Sequence, residues 1–235
     1  MAIIQAEKLV KAYGLLPVLR GLTLSIERGE FVALLGHNGS GKSTFLRLLT
    51  GLTTPTGGHL TIGGWQIPQE IAAVRAQIGL VAHRSLIYEA LTAHENLVFF
   101  GRLYGLGGRD LDARISDLLG RVGLGKRAHD PVRTFSRGML QRLSIARALL
   151  HDPAVLLFDE PYTGLDQTAM KALDRLLLEA HGGGRTIVMT THQIDKAVQI
   201  AQRAVIIARG VIAYDHRTDQ LDAASLAAEY ARVNS

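Results

Sequence analysis

The chain opens on alternating apolar and polar positions. IIQAEKLVKAY, VLRGLTLSI and FVALLG follow one another over residues 1–35, punctuated by Gly21 and by Arg28-Gly29-Glu30. Period-two runs bounded by glycine predict short strands. The third run ends at Gly36 in a glycine-rich loop, after which FLRLLTGL predicts a helix. TTPTGGHLTIGGW, residues 53–65, predicts turn, strand and turn; residues 69–77 predict a short helix or loop; IGLVA, 78–82, predicts a short apolar strand. From about Thr92 to Leu150 the pattern turns helical, with ENLVFFGRLYGL, DLDARISDLLGRVGL and MLQRLSIARALL as three candidates. AVLLFDEP, 154–161, is a continuous apolar run closed by two acids, and TIVMTTH, 186–192, is a second buried strand. ALDRLLLEA, DKAVQIAQRA and DAASLAAEYARV predict helices, and AVIIARGVIAYD predicts a closing hairpin.

Buried strands that alternate with helices predict an α/β fold with a mostly parallel core sheet. The alternating N-terminal strands add an antiparallel layer, and the helical block at about 92–150 reads as an insertion. No internal repeat, low-complexity tract or long linker divides the chain, so residues 1–235 are expected to form a single domain.

Composition narrows the function classes. The chain has 235 residues, 47% hydrophobic and 20% charged, as a well-packed globular protein has. It has no cysteine, which excludes disulfides, thiolate metal sites and a cysteine nucleophile. The net charge of +5 comes from scattered Lys and Arg, so no nucleic-acid partner is expected. Ordinary solubility charge and a weak preference for an anionic membrane surface both fit. The start MAIIQAEKLVKAYG carries early charges and no long apolar stretch, and no apolar run reaches the ~20 residues that span a bilayer. The expectation is a chain that stays in the cytoplasm and reaches a membrane through a partner.

GHNGSGKST, residues 36–44, is a complete G-x-x-x-x-G-K-[ST] motif between a strand and a helix. Gly36, Gly39 and Gly41 let the backbone of His37, Asn38 and Ser40 wrap closely around phosphate. The helix N-terminus faces the β-phosphate. Lys42 can reach β- and γ-phosphates, the Ser43 hydroxyl can ligate Mg²⁺, and Thr44 can add a phosphate bond. The strand VLLFD then offers Asp159 as a Mg²⁺ ligand through water and Glu160 as a general base for an attacking water. His192 follows TIVMTT at the ligand end of another strand, where it could bond a γ-phosphate.

TFSRGMLQRLSIARALL, Thr134 to Leu150, carries Ser136 at a helix start with Gly138 close behind. Ser136 reads either as a plain N-cap or as part of an anion site.

These motifs, in this order, resemble the ATP-binding cassette (ABC) ATPases over essentially the whole chain. FSRGMLQR stands at the family's signature, with Arg137 and Met139 in place of its first Gly and its Gln, and with Ser136 and Gly138 kept. Gly164, Leu165 and Asp166 match the D-loop. Tyr13, with Val18 nearby, matches the aromatic that stacks on adenine; ordinary strand packing is the other reading. His83 ends IGLVAH where the family's Q-loop has Gln, which normally touches Mg²⁺ or its water. His83 could take over that contact or lie in a solvated loop, and Arg137 could reach ATP or point to solvent.

The resemblance implies a P-loop NTPase: a RecA-like core, an N-terminal antiparallel β subdomain and an inserted α-helical subdomain. It implies ATP and Mg²⁺ as ligands, and an ATP-dependent homodimer in which Ser136, Arg137, Gly138 and Met139 act on the nucleotide of the other copy. It implies integral membrane subunits as partners, contacted near His83 to Glu95, at the cytoplasmic face of the bacterial inner membrane. Within the family, HRSLIYEALTAHENLVFFGRLYGL looks closest to the haem exporter ATPase of cytochrome c maturation. Multidrug, polysaccharide and lipid export cassettes share much of that text. A soluble cassette acting on ribosomes or DNA would carry a second cassette or a long coiled coil, and neither is here.

Overall fold

The structure, a computed structural model, describes residues 1–234. In chain order, β1 (Ala2–Tyr13), β2 (Leu16–Glu27) and β3 (Phe31–Leu35) lead into α1 (Lys42–Leu49). Then come β4 (Gly57–Ile62), β5 (Trp65–Ile67), α2 (Ile71–Ala76) and β6 (Ile78–Val81). The helical block holds α3 (Ala93–Leu103), α4 (Gly108–Arg121) and α5 (Arg137–Leu149). It is followed by β7 (Val155–Asp159), α6 (Gln167–Gly182), β8 (Thr186–Thr190), α7 (Ile194–Ile200), β9 (Arg203–Ala208), β10 (Val211–Arg217) and α8 (Ala223–Asn234).

The strands form two sheets, ordered β2-β1-β4-β5 and β10-β9-β3-β8-β7-β6. The first is antiparallel throughout, as its period-two pattern predicts. In the second, β9, β3, β8, β7 and β6 run parallel, and β10 closes the edge antiparallel to β9. The central strand β3 shows why its sequence is apolar without a break. Phe31, Ala33 and Leu35 join the core under the helical block, while Val32 and Leu34 join the core beneath the antiparallel sheet. A strand covered on both faces has no solvent side to mark with polar residues.

The other edge of the second sheet, β6, is closed by side chains. Arg147 donates to the Leu80 carbonyl at 2.7 Å, and the His151 ring lies 3.0 Å from the Ile78 carbonyl. An edge covered this way offers no free ladder to another strand.

Several predicted boundaries move. DKAVQIAQRA, read as one helix, stops at Ile200, and Arg203 already belongs to β9. The Arg203 guanidinium bonds both oxygens of Asp215 and also reaches Glu30, which holds the backbone in the ladder. The short strand β5 also begins at Trp65, where a turn was predicted.

Candidate functional site

Parallel strands bring their C-terminal ends to one edge of the sheet. β3 ends in the glycine-rich loop, β7 in Asp159, β8 just before His192 and β6 just before His83. Four motifs separated in sequence therefore meet on one side of the molecule.

The loop between β3 and α1 is shaped for a ligand. Gly36, Gly39 and Gly41 have φ of 151°, 82° and 115°. A Cβ on Gly36 would strike the Ile207 carbonyl, and one on Gly41 would come within 2.6 Å of Leu19 Cδ2. Only glycine fits either place. α1 has no side-chain cap at its start, so its first N–H groups remain open. Lys42 is buried and donates to the carbonyls of Gly36 at 2.5 Å and His37 at 3.2 Å. Burial pushes its ammonium below the usual lysine range, against the pull of the nearby Glu160 and Asp159 carboxylates. His37, Asn38 and Gly39 are exposed, as is Ser43, while Ser40 is buried and Thr44 is half-buried.

Across the sheet, the Thr190 hydroxyl donates to Asp159 Oδ1 at 2.8 Å. The Glu160 N–H donates to Thr190 Oγ1 at 3.0 Å and its carbonyl at 3.2 Å. Glu160 has φ of 51°, a conformation costly for a residue with a Cβ. Its carboxylate lies 2.8 Å from His192 Nδ1. The predicted pair is thus brought together, with His192 on the carboxylate and largely exposed. Thr190 was not singled out in the sequence. Its signal was there: it is the last residue of a strand whose parallel register places it beside Asp159.

His83 is exposed and lines a cavity of about 520 Å³ with Asp159, Glu160, Glu89 and Arg137. It lies in an exposed loop after β6 and shares a cavity wall with the acids. Ser136 Oγ accepts the Met139 N–H at 3.3 Å, an N-cap on α5. Ser136, Arg137 and Gly138 line a second cavity of about 380 Å³ with Gly164, Leu165 and Asp166. The Arg137 guanidinium packs where a side chain on Gly164 would be, its Cζ 2.7 Å from that Cβ position. Met139 is half-buried and packs against the core. Among the described residues no hydrogen bond joins this group to the Lys42 loop.

Tyr13 sits opposite Leu16 at the end of β1, and 45% of it is exposed. The Lys11 ammonium lies 4.9 Å from its ring centroid, and Val18 nearby is half-buried. Such a ring is free to stack on something flat. Val18 also places its carbonyl 3.5 Å from the Cβ position of Gly41, which brings β2 alongside the glycine-rich loop.

Known proteins share this fold and much of this sequence. The ABC transporter family model matches residues 19–163. The chain is 38% identical to the linearmycin resistance ATP-binding protein LnrL of Bacillus subtilis, over 92% of this chain and 70% of that one. It is 40% identical to the Nod factor export ATP-binding protein I of Cupriavidus pinatubonensis, over 89% of this chain and 64% of that one. A solved ATP-binding subunit of an ABC transporter superposes with a TM-score of 0.88 at 31% identity, covering 98% of this chain and 99% of that one. Neither curated relative is named for haem or cytochrome c maturation, so the narrower resemblance finds no support there; the broader export alternative fits the names better. The chain belongs to the ABC transporter family, as an ATP-hydrolysing cassette with a P-loop NTPase fold.

Proposed function

We propose that the chain is the motor subunit of an export-type ABC transporter, in which ATP closes two copies head to tail and the closure moves separate membrane subunits. The observation that carries this is one sheet edge holding both a buried, carbonyl-bound Lys42 and a Glu160–His192 pair at 2.8 Å. The first binds polyphosphate, and the second is suited to hydrolyse it.

In this reading Tyr13 stacks on adenine beside Val18. The backbone from Gly36 to Thr44 encloses the β-phosphate, and Lys42 exchanges two carbonyls for phosphate oxygens. Ser43 and Asp159 hold Mg²⁺, with His83 on the same wall. Hydroxyl and carboxylate oxygens suit that hard cation. Asp159 fits the task because one oxygen is occupied by Thr190 and the other is left for the ion's water. When bound, the ion neutralises charge on the phosphate oxygens. Glu160 takes a proton from the attacking water, and His192 holds that carboxylate in place until the γ-phosphate arrives to be bonded. Ser136 and the Gly138 N–H serve the nucleotide of the other copy, and Gly164, Leu165 and Asp166 line the same opening.

The membrane subunits dock in an apolar groove of about 510 Å³ lined by Leu52, Leu80, Leu86, Phe100, Leu103 and Tyr104. Leu52, Leu86, Leu103 and Tyr104 are among the large apolar side chains left exposed, and an exposed apolar patch of this kind marks an interaction site. No helix among the described residues is long and apolar enough to cross a membrane, so the membrane path belongs to the partner in this reading. The chain then works at the cytoplasmic face of the bacterial inner membrane. Relatives named for linearmycin resistance and Nod factor export favour a cargo of that kind over haem.

The test is affinity purification of Glu160→Gln from its native host in mild detergent with ATP, followed by mass spectrometry. Recovery of integral membrane subunits is expected. Cytochrome c maturation proteins among them would restore the haem reading. Ribosomal or DNA-bound partners alone would overturn the transporter reading.

A further inference from the structure

Glu160 and His192 sit on different loops, and a third set of side chains ties those loops together. Tyr162 is two residues past Glu160 and only 2% exposed. Its hydroxyl donates to Asp174 Oδ1, on α6, at 2.6 Å. The other oxygen of Asp174 takes Lys196 Nζ, on α7, also at 2.6 Å. Lys196 further donates to Gln199 Oε1 at 3.1 Å and lies 5.4 Å from the Tyr162 ring centroid. The side chains of Lys196 and Asp174 are 17% and 14% exposed. One carboxylate therefore bridges three elements, with both oxygens occupied and little water nearby.

The anchoring points are close to the chemistry. Lys196 lies in the first turn of α7, four residues past His192, and α6 is the helix capped by the D-loop residue Asp166, whose Oδ1 accepts the Ala169 N–H at 2.7 Å. The chain between Glu160 and Asp166 folds as tight turns, with Thr163 N–H on the Glu160 carbonyl and Leu165 N–H on that of Tyr162. Thr190 holds Glu160 from the upstream side. On the downstream side Pro161 and Tyr162 are both buried, and Tyr162 is the one whose side chain hydrogen-bonds another element. Burial and the Asp174 contact raise the phenol far above the usual tyrosine range, so it stays a donor at any physiological pH. A satisfied buried network of this kind fixes one arrangement of its elements. A residue at a left-handed φ needs such support to stay there.

We infer that Tyr162, Asp174 and Lys196 are positioning residues, a brace that sets the Glu160 carboxylate against His192 and ties both to the D-loop helix. The inference rests on the roles proposed above for Glu160 and His192.

The experiment compares Tyr162→Phe, which keeps the ring and removes one hydroxyl, with Lys196→Met, which keeps the stem and removes the ammonium. Each full-length variant is assayed for kcat and KM with MgATP, for thermal melting, and for the ¹⁵N resonance of His192 Nδ1, assigned with His192→Gln. A displaced carboxylate should lower kcat by about tenfold while KM stays within about twofold. The His192 resonance should move toward that of a free imidazole. The double variant should be no slower than the slower single one, since the brace acts as a unit. Parent values of kcat and of the His192 resonance in Tyr162→Phe would overturn the brace, and that variant decides the matter if Lys196→Met does not fold. Lower melting with no change in kcat or in the His192 resonance would reduce it to a packing contact and also overturn it. Full turnover in Glu160→Gln would instead remove the underlying reading, whereas an inactive Glu160→Gln beside fully active brace variants would remove the brace alone.

Discussion

Thr190 carries two duties with one hydroxyl. It accepts the Glu160 N–H and donates to Asp159, so the two acids are aligned by a neutral neighbour. Thr190→Val keeps the shape and removes both bonds. It should cost about 1 kcal/mol in denaturant unfolding and slow ATP hydrolysis, because Asp159 Oδ1 loses its donor and the Glu160 N–H keeps only the Thr190 carbonyl. Lys42 makes the opposite case. Its ammonium hydrogen-bonds two carbonyls, and burial outweighs the pull of the nearby Glu160 and Asp159 carboxylates, so it gives little to the empty fold and much to a bound phosphate. Lys42→Ala should lose ATP affinity by at least about tenfold in a fluorescent-nucleotide titration while melting near the parent temperature. Unchanged affinity would remove the phosphate role of this loop.

At the scale of elements, the caps and the sheet edge set what can be measured. Ser136 caps α5 through the Met139 N–H, and Ser136→Ala should cost about 1 kcal/mol in the isolated chain. The closed edge at β6 carries a pH signature. Burial holds the His151 imidazole below its ordinary 6.5, outweighing the Ile78 carbonyl. The unfolded chain then takes up the proton more readily. His151 stabilises the fold fully above about pH 6.5, and that contribution falls as pH drops below it. His151→Gln should flatten the fall in melting temperature between about pH 7 and about pH 5.

The two kinds of strand were legible for different reasons. β3, β7 and β8 announce themselves as unbroken apolar runs because both faces are covered. β1 and β2 announce themselves by alternation because one face meets water. The end of α7 was not legible, since Ala201, Gln202 and Arg203 have helix-compatible side chains. What stops the helix is the salt bridge from Arg203 to Asp215 and the ladder it enters, both of which depend on distant residues.

The parallel strands end with Lys42, Asp159, Glu160, His192 and His83 along one sheet edge, and Ser136 and Gly138 line a second cavity that Arg137 shares with the first. The motifs themselves could be read from the sequence because each is local. Thr190 and the bridging Asp174 could not, because their partners lie in other elements and become neighbours only through the parallel register and helix packing. Among the described residues no hydrogen bond ties Ser136 or Gly138 to the Lys42 loop, and both line a cavity with Gly164, Leu165 and Asp166. In the proposed head-to-tail dimer Ser136 and Gly138 meet the phosphate held by the second copy.

Light scattering of purified Glu160→Gln, with and without ATP, tests it most directly. A monomer without nucleotide and a dimer with ATP are expected. In the same background, Ser136→Ala should weaken the dimer by more than its capping loss explains. A chain that binds ATP tightly and remains monomeric, or that dimerises equally without it, would contradict the account.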